Sequence, residues 1–106
     1  MPQGKESGTP FQATASKADG TDAVASQAAV AGKRHHITAI AGSSDKAGAL
    51  LSVKDGSTVI WEVEIGAGLF SQTFEYPLFG TVGNAVSVTV DSTSLGKANI
   101  AGYTTE

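Results

Sequence analysis

The sequence has no cysteine. It can therefore build neither a disulfide framework nor a thiolate-held zinc or iron–sulfur site. Basic residues are also scarce, seven Lys and Arg against ten Asp and Glu, for a formal charge of −3. That balance excludes the basic stripe with which a general nucleic-acid binder neutralises phosphates. No apolar run approaches the roughly 20 residues that a membrane-spanning helix requires. The opening MPQGKESGTP carries no apolar core of a secretory signal. Neither a nucleic acid nor a membrane is expected as a partner.

What the chain has in quantity is glycine, thirteen residues, together with Ser, Thr, Ala and Val. This composition favours extended backbone and turns over long helices. A length of 106 residues suffices for one compact domain around one core. The most informative stretch is Leu50 to Ile65, LLSVKDGSTVIWEVEI, which holds the single tryptophan. Asp55-Gly56 predicts a tight hairpin turn between two strands. Beyond the turn, Val59, Trp61, Val63 and Ile65 alternate with Thr58, Ile60, Glu62 and Glu64. The first set is expected to face a core and the two glutamates to face water, because successive strand residues point to opposite sides. Ile60 interrupts the polar side and marks a possible second apolar contact.

The remaining chain continues in short segments. Residues Met1 to Gly20 are polar, with Phe11 as the one large apolar side chain after Met1. They are expected to form an extended or flexible arm, separable from a folded body spanning 21–106, with Phe11 as its anchor on a neighbour. Thr21 to Ala31 suits either an alanine-rich helix or a strand with Val24, Ala28 and Val30 on one face; the strand-rich context favours the strand. Arg34 to Ala41 alternates His35, Ile37, Ala39 and Ala41 against His36, Thr38 and Ile40. Leu69 to Tyr76 places Phe70, Gln72, Phe74 and Tyr76 together, and Pro77 confines this strand to an edge or ends it. Ala85 to Val90 and Lys97 to Tyr103 supply two more strands. Strands at intervals of about ten residues with glycine-rich turns predict an all-β fold. The expected fold is a single-domain antiparallel β-sandwich, jelly-roll-like, with an extended N-terminal arm.

The residues that carry chemistry elsewhere are not in productive patterns here. His35 and His36 are adjacent, so on a strand they point to opposite faces and do not converge on one ion. The expectation is one histidine partly buried and one exposed, with no metal site. Glu62 and Glu64 share a face about 7 Å apart by strand rise, which would suit an acid/base pair, but no other specific polar group accompanies them. No serine lies in a G-x-S-x-G elbow and no glycine run forms a nucleotide-binding loop. No catalytic residue, cofactor or metal is expected, and the chain is not read as an enzyme.

The order AGKRHHITAI, KDGSTVIWE, YPLFGTVGNAVSVTV and GKANIAGYTT, spanning roughly Ala23 to Thr105, resembles small virion proteins of tailed bacteriophages, in particular capsid decoration or cement proteins. The resemblance implies a structural protein, often trimeric, made in the host cytoplasm. It would sit on the capsid exterior at capsomer junctions, with the major capsid protein as partner. It names no active residues. Phe11, Ile60, Arg34 and His36 are the candidate capsid or subunit contacts. The alternative within the same resemblance is a receptor- or glycan-binding head-fibre or tail module acting through exposed loops.

Overall fold

The computed structural model describes residues 8–106. Eight strands follow one another with no helix among the described residues: β1 (Thr9–Lys17), β2 (Ala23–Gln27), β3 (Arg34–Ser44), β4 (Leu50–Asp55), β5 (Thr58–Glu64), β6 (Gly68–Phe79), β7 (Val86–Val90) and β8 (Gly96–Thr105). They form two four-stranded sheets, β1-β8-β3-β6 and β2-β7-β4-β5. Every pairing is antiparallel. The chain pairs from its middle outwards: β4 with β5, β3 with β6, β2 with β7 and β1 with β8. This is one long hairpin rolled so that successive pairs fall alternately in the two sheets. The extra pairings β3–β8 and β4–β7 knit each sheet together. That order is a jelly roll, as expected from the sequence.

The innermost hairpin forms where Asp55-Gly56 predicts it, with one shift. Asp55 pairs with Thr58, so the turn centre is Gly56-Ser57. Gly56 alone has positive φ, +62°. Glycine at the first central position is the requirement of a type II′ turn, whose twist matches that of paired strands. Asp55 is thus the last strand residue, free to bond elsewhere.

The core lies between the sheets and is built in layers. In one layer Ala23, Val90, Leu51 and Val63 are cross-strand neighbours; in the next, Ala25, Val88, Val53 and Trp61. Opposite them stand Phe11, Ile37, Ile40, Ala98 and Ile100. Leu51, Val53, Val86, Val88 and Val90 are fully buried. At about 25 cal/mol per Å² of apolar surface this valine-rich interior supplies the main stabilisation. Trp61 closes one side of the sandwich, its ring 5.4 Å from that of Phe74 in an edge-on arrangement and 6.3 Å from that of Phe70. Leu69 and Tyr76 on the same strand are exposed, so only part of the expected aromatic face is interior. Pro77 lies in β6, which is an edge strand, where a missing N–H is tolerated.

Two bulges overturn the simple alternation. In β3, Ile37 pairs with Gly102 and Ala39 with Ala101, which leaves Thr38 as an extra residue. Before it His35 and Ile37 point inward; after it Ile40, Gly42 and Ser44 do. The reading that kept Ala39 and Ala41 on the His35 face is therefore corrected, since one inserted residue reverses every later side chain. In β5, Val53 pairs with Trp61 and Lys54 with Val59, so Ile60 is the extra residue. Val59 consequently leaves the core and is 46% exposed. In β2 the inward residues are Ala23 and Ala25, while Val24 faces out, the reverse of the face expected from Val24, Ala28 and Val30. Small residues suit the inner position because β1 crosses close to β2 there.

The first segment differs most from expectation. Thr9–Lys17 is no separable arm: it pairs with β8 at every position from Thr9↔Thr104 to Lys17↔Gly96. Phe11, Ala13 and Ala15 alternate inward and pack on the core. The body thus begins at Thr9, not at residue 21. Phe11 is a core residue whose ring meets that of His35 edge-on at 5.4 Å. The part of the expected arm from Met1 to Ser7 lies outside the described residues.

Two outcomes follow. A chain beginning at Thr21 loses β1 and uncovers β8, so its thermal unfolding, followed by circular dichroism, is expected well below that of the full chain. Gly102 faces the Thr38 bulge so closely that a Cβ there would overlap the His36 carbonyl oxygen and press on the Phe11 ring. Gly102→Ala is expected to cost at least the ~1–3 kcal/mol typical of overpacking, read from urea denaturation.

Candidate interaction surface

The two candidates brought together by the fold are Arg34 and His36, on the outer face of the β1-β8-β3-β6 sheet. Register places Pro10, Tyr103, His36 and Phe79 side by side across all four strands. His36 stacks on Tyr103 with ring centres 4.6 Å apart and planes 9° from parallel. Its Nε2 lies 2.9 Å from the Thr105 hydroxyl. The Arg34 guanidinium sits 5.1 Å from the centre of the Phe79 ring, a cation–π contact. Its Nε is buried without a hydrogen-bond partner. Burial, then the neighbouring Arg34 and His35, hold the His36 imidazole below its usual range. His36 is therefore neutral at pH 7, and its stabilising contribution fades as pH falls below the ordinary histidine value of 6.5.

His35 has a different role. It is fully buried, where partial burial was expected. Nε2 lies 2.8 Å from the Ala28 carbonyl oxygen and Nδ1 2.7 Å from the Thr104 hydroxyl. A carbonyl only accepts, so Nε2 carries a proton, and in the neutral ring Nδ1 accepts from Thr104. The ring thereby ties the segment after β2 to β8. The two histidines do point to opposite sides, and no group of three or more His, Asp or Glu side chains among the described residues is placed to hold a metal ion. Ile60 stands on the edge strand of the other sheet, away from Arg34 and His36, and Phe11 is interior.

Below the aromatic row the same outer face is lined with small side chains. Successive rows read Gln12-Ala101-Ala39-Thr73, Thr14-Asn99-Ala41-Ser71 and Ser16-Lys97-Ser43-Leu69. Their shortness leaves three contiguous shallow depressions, of about 220, 390 and 390 Å³, the last opening at the sheet end between Leu69 and Leu95. In these rows Lys97 is the one charged residue. The outer face of the other sheet carries Lys54, Glu62 and Glu64. The molecule therefore has one charged face and one nearly neutral face of low relief.

Searches against protein-family models, curated proteins and solved structures find no match for the chain. The functional reading accordingly rests on the chemistry of this surface.

The remaining polar contacts are structural. Asp45, in the β3–β4 loop, accepts hydrogen bonds from the Ser94 hydroxyl and from the backbone N–H groups of Thr93, Ser94 and Leu95. Those donors, Ser94 first, drive its carboxyl far below the ordinary carboxylate range. Asp91 accepts from the Leu50 N–H at 2.7 Å and pairs with Lys46 at 3.1 Å. At the opposite end, burial raises the Asp55 carboxyl, but hydrogen bonds from Thr81 and Asn84, aided by Arg34, outweigh it and lower it overall. Each carboxylate links loops that are distant in sequence. None of these links was visible in the sequence, where Asp55 read only as a turn residue.

Because the folded-state values of Asp45, Asp55 and Asp91 are depressed, their contribution is fully present above the unfolded value of 3.8 and is lost as pH falls below it. Asp45→Asn is expected to lower the melting temperature at pH 7, and the gap from the parent protein is expected to narrow at pH 2.

Proposed function

We propose that this protein is a structural virion component that binds the outer surface of a bacteriophage capsid at capsomer junctions and stabilises the shell. The observation that carries the reading is the sparsely charged, low-relief outer face of the β1-β8-β3-β6 sheet, edged by Arg34, His36, Phe79 and Tyr103. Depletion of charge together with aromatic and arginine residues is the composition of an interface core. The jelly-roll sandwich is the kind of compact body that the resemblance to decoration proteins implies. Such a role requires a rigid body and a broad contact surface, and it requires no catalytic group.

In this reading the major capsid protein is the partner and the face is the docking surface. A homo-oligomer would let several modest contacts act together through high effective concentration. Arg34 and Phe79 would supply the anchors, since each already holds the other in place and loses little freedom on binding. The reading as a receptor- or glycan-binding fibre module is less favoured. His36 and Tyr103 stack on each other, so much of their ring surface is turned towards a neighbour and away from a ligand.

The test is titration of the purified protein onto expanded shells that lack it, with shell stability to heat as the second readout. Saturable binding and a raised shell melting temperature are expected. Phe79→Ala should weaken binding by at least tenfold, about 1.4 kcal/mol, with little change in the protein's own melting temperature, because Phe79 is exposed. Absence of binding, or binding with no gain in shell stability, would overturn the proposal.

A further inference from the structure

The four sheet edges of the sandwich are not alike. Edge strand β5 carries the Ile60 bulge with Glu62 and Glu64, and edge strand β6 breaks register between Thr73 and Leu78 and contains Glu75 and Pro77. Bulges, charges and proline are the devices by which an edge is kept from adding another strand. Edge strand β2 is protected by being only five residues long. Edge strand β1 has none of these along its middle. It is nine residues long, regular in register and uncharged from Thr9 to Ser16, with Pro10 and Lys17 only at its two ends. Among the described residues no strand lies beyond it.

We propose that the β1 edge pairs antiparallel with the β1 edge of a second copy of this chain, joining two β1-β8-β3-β6 sheets into one across a two-fold axis. A two-fold contact requires a surface complementary to itself, and TPFQATASK meets that condition. Full overlap centres the axis on Ala13. Phe11 then stands opposite Ala15 of the second copy on the inner side, and Gln12 stands opposite Thr14 on the outer side. At these central positions apolar meets apolar and polar meets polar, while Pro10 falls opposite Ser16. Lys17 falls opposite the uncharged Thr9 at each end, whereas a parallel alignment would set the two lysines side by side. Beside the junction, Phe11, Val30, Gln27 and Lys33 line a notch of about 180 Å³ at the end of β1, which leaves room for the added strand. The contact uses an edge and leaves the outer sheet face free, so it stands independently of what that face binds.

The absence of cysteine makes the test direct in the full-length chain. Ala13→Cys brings two thiols to the axis, and an equal mixture of Gln12→Cys and Thr14→Cys chains brings them together one residue away. Adjacent antiparallel pairs alternate between the wider and the closer type, so one of the two positions is necessarily of the closer type that favours a disulfide. At least one of these preparations is expected to form disulfide-linked pairs tenfold or more faster than Ser57→Cys, placed at the distant hairpin turn. Light scattering of the unmodified protein is expected to give an even number of chains. Gln12 and Thr14 are exposed, so the mixture remains informative if Ala13→Cys perturbs folding. Neither preparation outpacing Ser57→Cys, or a mass of one or three chains, would overturn the proposal. Failure to bind shells would leave this result untouched.

Discussion

The pairing of β3 with β8 is the constraint on which the rest of this fold depends. These two strands are the inner pair of their sheet, with β1 added outside β8 and β6 outside β3. They lie far apart in sequence, so their contact closes the roll. It tolerates one register only, because the Thr38 bulge on β3 meets Gly102 on β8, and no other residue type fits under the His36 carbonyl. The bulge also sets the phase of β3. It places His35 and Ile37 inward on one side and Ile40, Gly42 and Ser44 inward on the other. A fixed register in this pair thus determines which side chains fill the core and which form the outer face.

The fold class was legible in the sequence because alternation and turn chemistry are local. The β4–β5 hairpin, β7 and β8 follow from Val and Ile spaced by two residues and from Asp55-Gly56, and those signals act within a few residues. What was not legible was the phase across irregularities. Thr38 and Ile60 carry no mark of a bulge; each becomes one only because the partner strand offers one residue fewer. The same limit applies to β1. Its composition is that of a disordered segment, and β8 supplies the hydrogen bonds that order it. At the candidate surface, Arg34 and His36 could be named from sequence, but Phe79 and Tyr103 could not, because the register of two distant strands brings them alongside. Phe11 read as an anchor on a neighbour, but the fold packs it against the core of its own chain.

The carboxylates show how the molecule uses its few charges. Asp45, Asp55 and Asp91 are spent on backbone N–H groups and hydroxyls of neighbouring loops, where a charged acceptor roughly doubles the strength of a hydrogen bond. Glu62 and Glu64 remain at the surface, with Ser52 donating to Glu62 at 2.8 Å. The charge is distributed for shape, and the rows of small residues on the β1-β8-β3-β6 sheet, which hold no carboxylate, are where the surface has room for a neighbour.

The rolled hairpin also explains why one side of the sandwich is guarded and the other is open. Strands β5 and β6 lie near the middle of the chain, and their partners β4 and β3 are nearer in sequence than β8 is to β1, so their pairing closes smaller loops. During the slower closure of β1 onto β8 their edges would stand exposed, and an unguarded edge at that stage invites pairing with another chain. Bulges, glutamates and Pro77 suit those positions. Strand β1 joins only when its partner β8 exists, so its outer edge is created last and needs protection least during folding. An edge that completes the fold last can be left flat and uncharged for use in the finished molecule.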